Sequence, residues 1–221
     1  MTALVATYLA CAPVPPAVAP VPAGPPTERL PEIAAESSAP MLDGPVPTDL
    51  TRDIARLRES GLLVPVRGVR AQGVEDSFDA PRDGSRRHDA VDILAPRGTA
   101  VIAAAPGIVL RVGTNTLGGN VVWVGDSATR IVYYYAHLQG FAPSMRAKRE
   151  VARGDVIGYV GTTGNAPANV PHLHFQVLRT TDWARWWTGT PINPRPFLVD
   201  LEVAELARVL FAAAVAAGDR E

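Results

Sequence analysis

Hydrophobic positions between residues 64 and 200 come in short runs rich in β-branched side chains, and glycines separate the runs. Such runs predict β-strands, and the glycines predict tight turns between them. Because side chains alternate between the two faces of a strand, each run can bury one face in a core. The pattern predicts a mainly β domain, an antiparallel β-sandwich or partly open barrel. The clearest predicted strands are 101–105, 108–112, 121–124, 131–135 and 156–160.

Two segments at the edges of this region show helical spacing instead. Leu50, Ile54 and Leu57 fall on one face of a short amphipathic helix predicted within residues 48–63. This helix either packs on the domain, as most amphipathic helices do, or lies over a substrate groove and restrains it. Apolar residues at the same spacing predict a short C-terminal helix within 201–221.

The first 47 residues differ from the rest in composition. Prolines alternate with alanine and valine, so an extended polyproline conformation is favoured over a packed core, and we interpret the segment as a tether. Its apolar start lacks basic residues and is far shorter than the roughly 20 residues that a membrane-spanning helix needs, so no integral membrane span is expected. Cys11, which follows Leu9-Ala10, faintly resembles a bacterial lipoprotein cleavage site; an ordinary terminus is the alternative.

Charge and cysteine content exclude several kinds of binding site. The chain has 21 basic and 22 acidic residues, so nothing indicates a surface for nucleic acid. A single cysteine allows neither an intrachain disulfide nor a cysteine-based zinc site. Any bound metal must therefore use nitrogen and oxygen ligands.

The four histidines of the chain all lie in three short motifs, which indicates one metal centre. Imidazole and carboxylate ligands suit a divalent transition metal, and three protein ligands with an open fourth position are typical of catalytic zinc. The motifs therefore predict a zinc hydrolase. They are His88-Asp89-Ala90-Val91-Asp92, Tyr135-Ala136-His137-Leu138 and His172-Leu173-His174-Phe175.

Strand geometry predicts how these side chains are presented. If residues 88–93 are extended, His88 and Asp92 share one face while the intervening valine and the following isoleucine pack in the core. By the same alternation His172 and His174 share a face, roughly 7 Å apart along the strand. One of them can then bind the metal while the other addresses the substrate.

The third motif is weaker evidence by itself. Alternation predicts that Tyr133, Tyr135 and His137 share a face, which would bring His137 into the same cleft if its strand lies alongside. A lone histidine in a tyrosine-rich strand is more often a buried residue without a catalytic role.

Taken together, the motifs resemble the lysostaphin-type, or LytM-type, zinc endopeptidases, which cut peptidoglycan peptides. The resemblance runs from about Asp76 to Val177, and it implies a LytM-type peptidase domain, placed at 64–200. Besides the three histidine motifs, it rests on Pro96-Arg97-Gly98-Thr99, Ala105-Pro106-Gly107-Ile108-Val109, Gly118-Gly119-Asn120 and Gly154-Asp155-Val156-Ile157-Gly158.

The resemblance also implies a role for each site residue. His88, Asp92 and His174 match the positions that bind one Zn²⁺ per chain, and His137 and His172 match those that assist catalysis. Which of these two acts as base and which stabilises charge is left open.

Two positions depart from the family pattern. Ala90 stands where glycine is common, a small change that should keep the metal face open. Gln176 stands where glutamate is frequent, which should alter hydrogen bonding around the ligands without removing one.

The expected function is zinc-dependent hydrolysis of peptide crosslinks or stem peptides of peptidoglycan by metal-activated water. Peptidoglycan peptides are the expected partner, in the periplasm of the bacterial cell envelope, with a regulatory envelope protein as a further candidate. A non-catalytic LytM-like module that activates another cell-wall hydrolase is the main alternative, although such modules typically lack part of the metal set. A phosphate-carrying β domain with a histidine pair does not explain Asp92.

Overall fold

The computed structural model describes residues 48–82, 86–126 and 129–204. The predicted tether at 1–47, including Cys11, lies outside them, as does the predicted C-terminal helix beyond its helical first residues, 201–204. The elements are the helix α1 (Thr48–Ser60), the strands β1 (Leu62–Leu63), β2 (Val91–Leu94), β3 (Ala100–Ile102), β4 (Gly107–Asn115), β5 (Gly119–Gly125), β6 (Ile131–Phe141), β7 (Glu150–Val151), β8 (Val156–Val160), β9 (His172–Arg179), β10 (Thr190–Ile192) and β11 (Leu198–Val199), and 3₁₀ turns at Ala71–Gly73, Trp183–Arg185 and Arg195–Phe197.

Nine of the strands form one antiparallel sheet, as the hydrophobic pattern predicts. Its main path runs β10-β9-β6-β5-β4-β7, with β2 paired to β9, and β8 paired to β3 and β6. The path ends at β7 and β10, so these described strands form an open sheet and not a closed barrel. The short strands β1 and β11 make a separate parallel pair.

All five of the clearest predicted strands fall on observed strands, and the run 156–160 matches β8 in full. The prediction for 101–105 is too long, because β3 ends at Ile102. Beyond it the buried alanines bond to other parts of the fold: Ala104 accepts from the amide of Leu63 at 2.9 Å and donates to the Tyr135 hydroxyl at 3.0 Å. The apolar run continues because the segment is buried, although it is no longer a strand.

The main core lies on one face of the sheet and confirms the alternation predicted for β2 and β9. Val91 and Ile93 of β2 pack there, while Asp92 between them points the other way. The same core holds the alternate positions of β9 and two tyrosines of β6, namely Leu173, Phe175, Val177, Tyr133 and Tyr135. The opposite face of these strands is therefore available for the polar motif residues.

The helix α1 packs on this core through Leu57, with Leu50 and Ile54 beside it. Gly61 ends the helix in the left-handed conformation (φ 61°), and its amide bonds to the Leu57 carbonyl at 2.9 Å, a common C-terminal cap. A buried ion pair between Arg179 and Asp53, 2.8 Å long, ties the helix to the end of β9. Over the residues that the structure describes, no helix is both long and apolar enough to cross a membrane.

Candidate metal centre

The pairing of β2 with β9 sets Asp92 directly opposite His174 in the antiparallel register. His88 approaches the same point from outside the strand. The prediction that 88–93 is extended is wrong for its first three residues, because β2 begins only at Val91 and Asp89 adopts a left-handed conformation (φ 54°). A turn, and not strand alternation, brings the His88 ring back to Asp92.

Three donor atoms converge at this point. His88 Nε2 lies 3.0 Å from Asp92 Oδ1, His174 Nδ1 lies 3.1 Å from the same oxygen, and the two ring nitrogens are 3.0 Å apart. Ligands at 2.0–2.2 Å from a tetrahedral zinc are about 3.3 Å apart, so this triangle is close to the size that zinc requires. Among the described residues, these three form the only such group of potential metal ligands.

The hydrogen bonds within the cluster also fit a metal site. His88 Nδ1 lies 2.9 Å from the Ser77 carbonyl, which can only accept, so this nitrogen donates and Nε2 is the nitrogen that faces Asp92. His88 Nε2, Asp92 Oδ1 and His174 Nδ1 share hydrogen bonds with one another, and metal binding displaces protons held in this way. One bound zinc ion would take their place, with two nitrogen ligands and one oxygen ligand.

Charge around Asp92 keeps it ionised. Burial acts to raise its pKa, but hydrogen bonds to His174 and His88, together with their charges, outweigh burial and hold the pKa well below its usual range. Arg82 donates to Oδ2 at 2.7 Å, which leaves Oδ1 directed at the histidines. Burial lowers the pKa of His174 despite its bond to Asp92, which favours the neutral ring that metal coordination requires.

A β-bulge directs His137 toward the same face. On β6, Ala136 and His137 lie opposite the single residue Val121 of β5, since the flanking pairs are Asn120 with Leu138 and Val122 with Tyr135. His137 takes the left-handed conformation there (φ 62°), which is uncommon for any residue but glycine.

The bulge overturns the prediction that His137 shares a face with Tyr133 and Tyr135. Both tyrosines are buried in the main core, whereas the His137 ring lies 4.9 Å from that of His172 and 5.7 Å from that of His174. The extra residue changes the alternation of β6 just before the histidine. All four histidines and Asp92 are thereby brought to one place.

Two backbone carbonyls of one loop fix the rings of His137 and His172. His137 Nδ1 donates to the Thr163 carbonyl and His172 Nδ1 to the Val170 carbonyl, each at 2.8 Å. In its neutral form each ring then has its lone pair on Nε2, and His172 Nε2 lies 3.8 Å from Asp92 Oδ1. Burial, reinforced by the charge of His174, lowers the pKa of His137 to about 4. The His137 ring is therefore neutral near pH 7.

Comparison with known families identifies the domain that carries this site. Residues 86–194 match the model of peptidase family M23. These residues form an M23 peptidase domain. The M23 domain extends over β2 to β10 and includes every residue of the converging cluster.

Two characterised relatives align with the M23 domain. An L-Ala–D-Glu endopeptidase of Bacillus subtilis is 34% identical over 126 residues, which are 54% of this chain and 37% of the relative. The DD-carboxypeptidase/endopeptidase Mpg of Neisseria meningitidis serogroup B is 36% identical over 109 residues, 49% of this chain and 22% of the relative. The chain thus spans well under half the length of either relative. The structure of lysostaphin from Staphylococcus simulans is 29% identical, covers 53% of this chain and 45% of its own, and has a TM-score of 0.43.

The structure adds residues that the sequence analysis did not single out. Arg82, Thr163 and Val170 each contact a residue of the cluster, yet none belongs to a periodic pattern or a histidine motif. Backbone carbonyl acceptors in particular cannot be predicted from residue type, because every residue has a backbone carbonyl.

A second apolar layer lies beside the cluster on the same face of the sheet. Tyr134 meets the His174 ring edge-on at 6.0 Å and packs on Trp123 at 4.0 Å, and Trp186 covers Trp123 at 5.1 Å. The other residues of this layer are Val121, Val132, Ala136, Leu178, Leu110 and Trp187. It gives His174 a dry, aromatic flank on one side.

Proposed function

We propose that the M23 domain is a zinc-dependent endopeptidase that hydrolyses peptide bonds of peptidoglycan. In this proposal His88, Asp92 and His174 hold one zinc ion, while His137 and His172 act on water and substrate. The observation that supports it best is the triangle of donor atoms, with sides of 3.0–3.1 Å, formed by two imidazoles and one carboxylate. The donor set is complete, which favours an enzyme over the non-catalytic module.

The protein side of the mechanism follows from the two ring orientations. When bound, zinc supplies Lewis-acid chemistry that activates water and polarises a peptide carbonyl. His137 and His172 are each held by Nδ1, which leaves Nε2 of each ring as the nitrogen that can act. A ring with a free lone pair on Nε2 can take the proton of the attacking water and return it to the leaving amine. The other ring stabilises negative charge on the carbonyl oxygen if its Nε2 carries a proton and donates a hydrogen bond to that oxygen.

The substrate class is proposed from the relatives together with the site. One relative is named for L-Ala–D-Glu bonds and the other for DD bonds, so both names concern peptide bonds with amino acids typical of cell-wall peptides. We therefore propose stem peptides or crosslinks of peptidoglycan as substrate and the periplasmic side of the bacterial envelope as location. Anchoring through Cys11 and a regulatory envelope partner stay predictions.

Incubation of purified peptidoglycan with the full chain tests this function. The zinc-loaded protein is compared with the chelator-treated protein, new amino ends are counted, and released fragments are identified by mass spectrometry. We expect zinc-dependent release of fragments from the wild type and from the control variant Arg146→Ala, which replaces an exposed arginine. We expect no release from His174→Ala. Equal release by the metal-free protein would exclude the mechanism. If the loaded chain releases nothing alone but raises the rate of a separate cell-wall hydrolase, the activator alternative is correct.

A further inference from the structure

One loop supplies both of the acceptors that orient the substrate-side histidines. Residues 161–171, here called the acceptor loop, connect β8 to β9 and include Thr163, the acceptor for His137, and Val170, the acceptor for His172. Most of the loop from 164 to 170 is exposed. The conformation of this loop therefore determines which nitrogen of each ring carries the proton.

The two acceptors are anchored differently. The hydroxyl of Thr163 donates to the Leu138 carbonyl at 2.9 Å and accepts from the Asn120 amide at 2.9 Å, so its position is fixed from the neighbouring strands. Val170 lies in the exposed part of the loop, where its amide bonds to the Pro167 carbonyl at 3.1 Å within the same loop. The residues that follow it are joined to the rest of the domain by two long backbone bonds, from the Ala95 amide to the Pro171 carbonyl at 3.4 Å and from the His172 amide to the Gly161 carbonyl at 3.3 Å.

Arg97 adds shorter side-chain bonds that tie the Val170 side of the loop to the sheet. It lies in the turn between β2 and β3, outside the metal cluster. Its Nη2 donates to the Thr162 hydroxyl at 2.7 Å and to the Ala168 carbonyl at 3.2 Å, and its Nη1 donates to the Gln139 side chain on β6 at 2.7 Å. One planar guanidinium thus joins the start of the acceptor loop, a point two residues before Val170, and the strand that carries His137.

We propose that Arg97 is a positioning residue that fixes the acceptor loop and thereby holds His172 with its proton on Nδ1. The planar guanidinium group of arginine is suited to this task because its fixed N–H groups bind several partners at once, whereas the ammonium group on the flexible lysine side chain fixes fewer. Since Thr163 has its own anchors, loss of Arg97 acts on His172 and leaves His137 in place. The effect on catalysis rests on the proposed function; the effect on the ring does not.

The ring is observed directly by nitrogen-15 NMR of the histidine side chains in the full zinc-loaded chain. In the wild type and in Arg146→Ala, an exposed arginine whose guanidinium bonds to the Ser144 carbonyl, we expect both His137 and His172 as the Nδ1-protonated tautomer. In Arg97→Ala we expect His172 to populate both tautomers while His137 keeps its wild-type signals. Arg97→Lys should fall between the two. Unchanged His172 signals in a folded Arg97→Ala protein, shown by retained zinc and an unchanged circular dichroism spectrum, would overturn the proposal.

Kinetics separate positioning from substrate binding. With a defined peptidoglycan fragment we expect Arg97→Ala to lower kcat by about 10-fold, the lower end of the loss usual for groups that orient site residues, with KM within about 2-fold. A raised KM with unchanged kcat would instead make Arg97 a substrate-binding residue and overturn the proposal. If the wild type hydrolyses nothing, the proposed function fails, and the NMR comparison still decides whether Arg97 controls His172.

Discussion

Asp92 and His174 face each other across the β2–β9 pair, with Oδ1 of one 3.1 Å from Nδ1 of the other. The residues on either side of them hold this register, because Val91 lies opposite Phe175 and all core neighbours point to the opposite face. A slip of one residue would turn Asp92 into the core and an apolar side chain into the site. The metal-site geometry therefore depends on the packing of the hydrophobic core.

The left-handed backbone at His137 predicts an unusual ranking of variants. Glycine adopts this conformation freely, whereas alanine is strained in it, so His137→Gly should be more stable than His137→Ala by about 1 kcal/mol. Urea unfolding of the two metal-free variants measures the difference. Equal stability, or a more stable alanine variant, would show that the bulge is absent or relaxes without cost.

Close packing of the β4–β5 turn against the acceptor loop predicts that Gly119 cannot be replaced. Gly119 has φ 62°, and a Cβ there would overlap the backbone of Gly164 and the side chain of Thr163. We expect Gly119→Ala to destabilise the protein by about 2 kcal/mol or more, since strain and overlap act together. The matched control is Gly140→Ala, where a Cβ meets nothing within 4 Å and the effect should stay within about 0.5 kcal/mol. Similar losses in both variants would contradict this account of the loop.

The buried ion pair between α1 and β9 predicts that the helix contributes to the stability of the domain. Asp53 and Arg179 are each 7% exposed, so Asp53→Ala removes a buried carboxylate from the guanidinium that it contacts and should cost about 3 kcal/mol of unfolding free energy. Asp79, paired with Arg87 at 3.3 Å and largely exposed, is the control, and Asp79→Ala should cost less than about 1 kcal/mol. Denaturant titration checks both, and equal costs would argue against docking of α1 through this pair.

The turn that carries three of the four tryptophans should show a pH-dependent contribution from Asp182. Hydrogen bonds from Arg185 and from the Ala184 amide lower the pKa of this carboxyl below its usual value. A lowered folded-state pKa means that stabilisation is present above the unfolded value of about 3.9 and is lost as pH falls through the folded value. Asp182→Asn should therefore unfold at lower urea concentration than the wild type at pH 7, and this difference should be smaller at pH 3. Tryptophan fluorescence monitors the transition, and a difference that grows toward pH 3 would refute this assignment.

The sequence predicts the parts of the structure that depend on local alternation. The β-branched runs predict the strands, and the alternation in 172–177 correctly separates His172 and His174 from Leu173 and Phe175. The pattern fails where the backbone leaves regular geometry. His88 reaches the site through a left-handed turn at Asp89, and neither that turn nor the bulge on β6 has a period that alternation could reveal.

Long-range polar contacts are the other part that the sequence does not predict. Arg97 appears in the sequence as one residue of a family-like turn, and its bonds to Gln139 and Ala168 exist only because distant segments meet. Carbonyl acceptors such as that of Val170 depend on backbone position and are independent of residue type. Such contacts require the assembled fold.

Zinc affinity of the full chain, measured by competition with a chelator of known affinity, tests the central claim most directly. We expect one zinc per chain in the wild type and in His172→Ala. We expect affinity to be lower by at least about 100-fold in His88→Ala, Asp92→Ala and His174→Ala, since loss of a ligand should exceed the 10- to 100-fold cost of losing a group that orients one. A wild type that binds no zinc, or ligand variants that bind it as tightly as the wild type, would contradict the claim that these three residues form one zinc site.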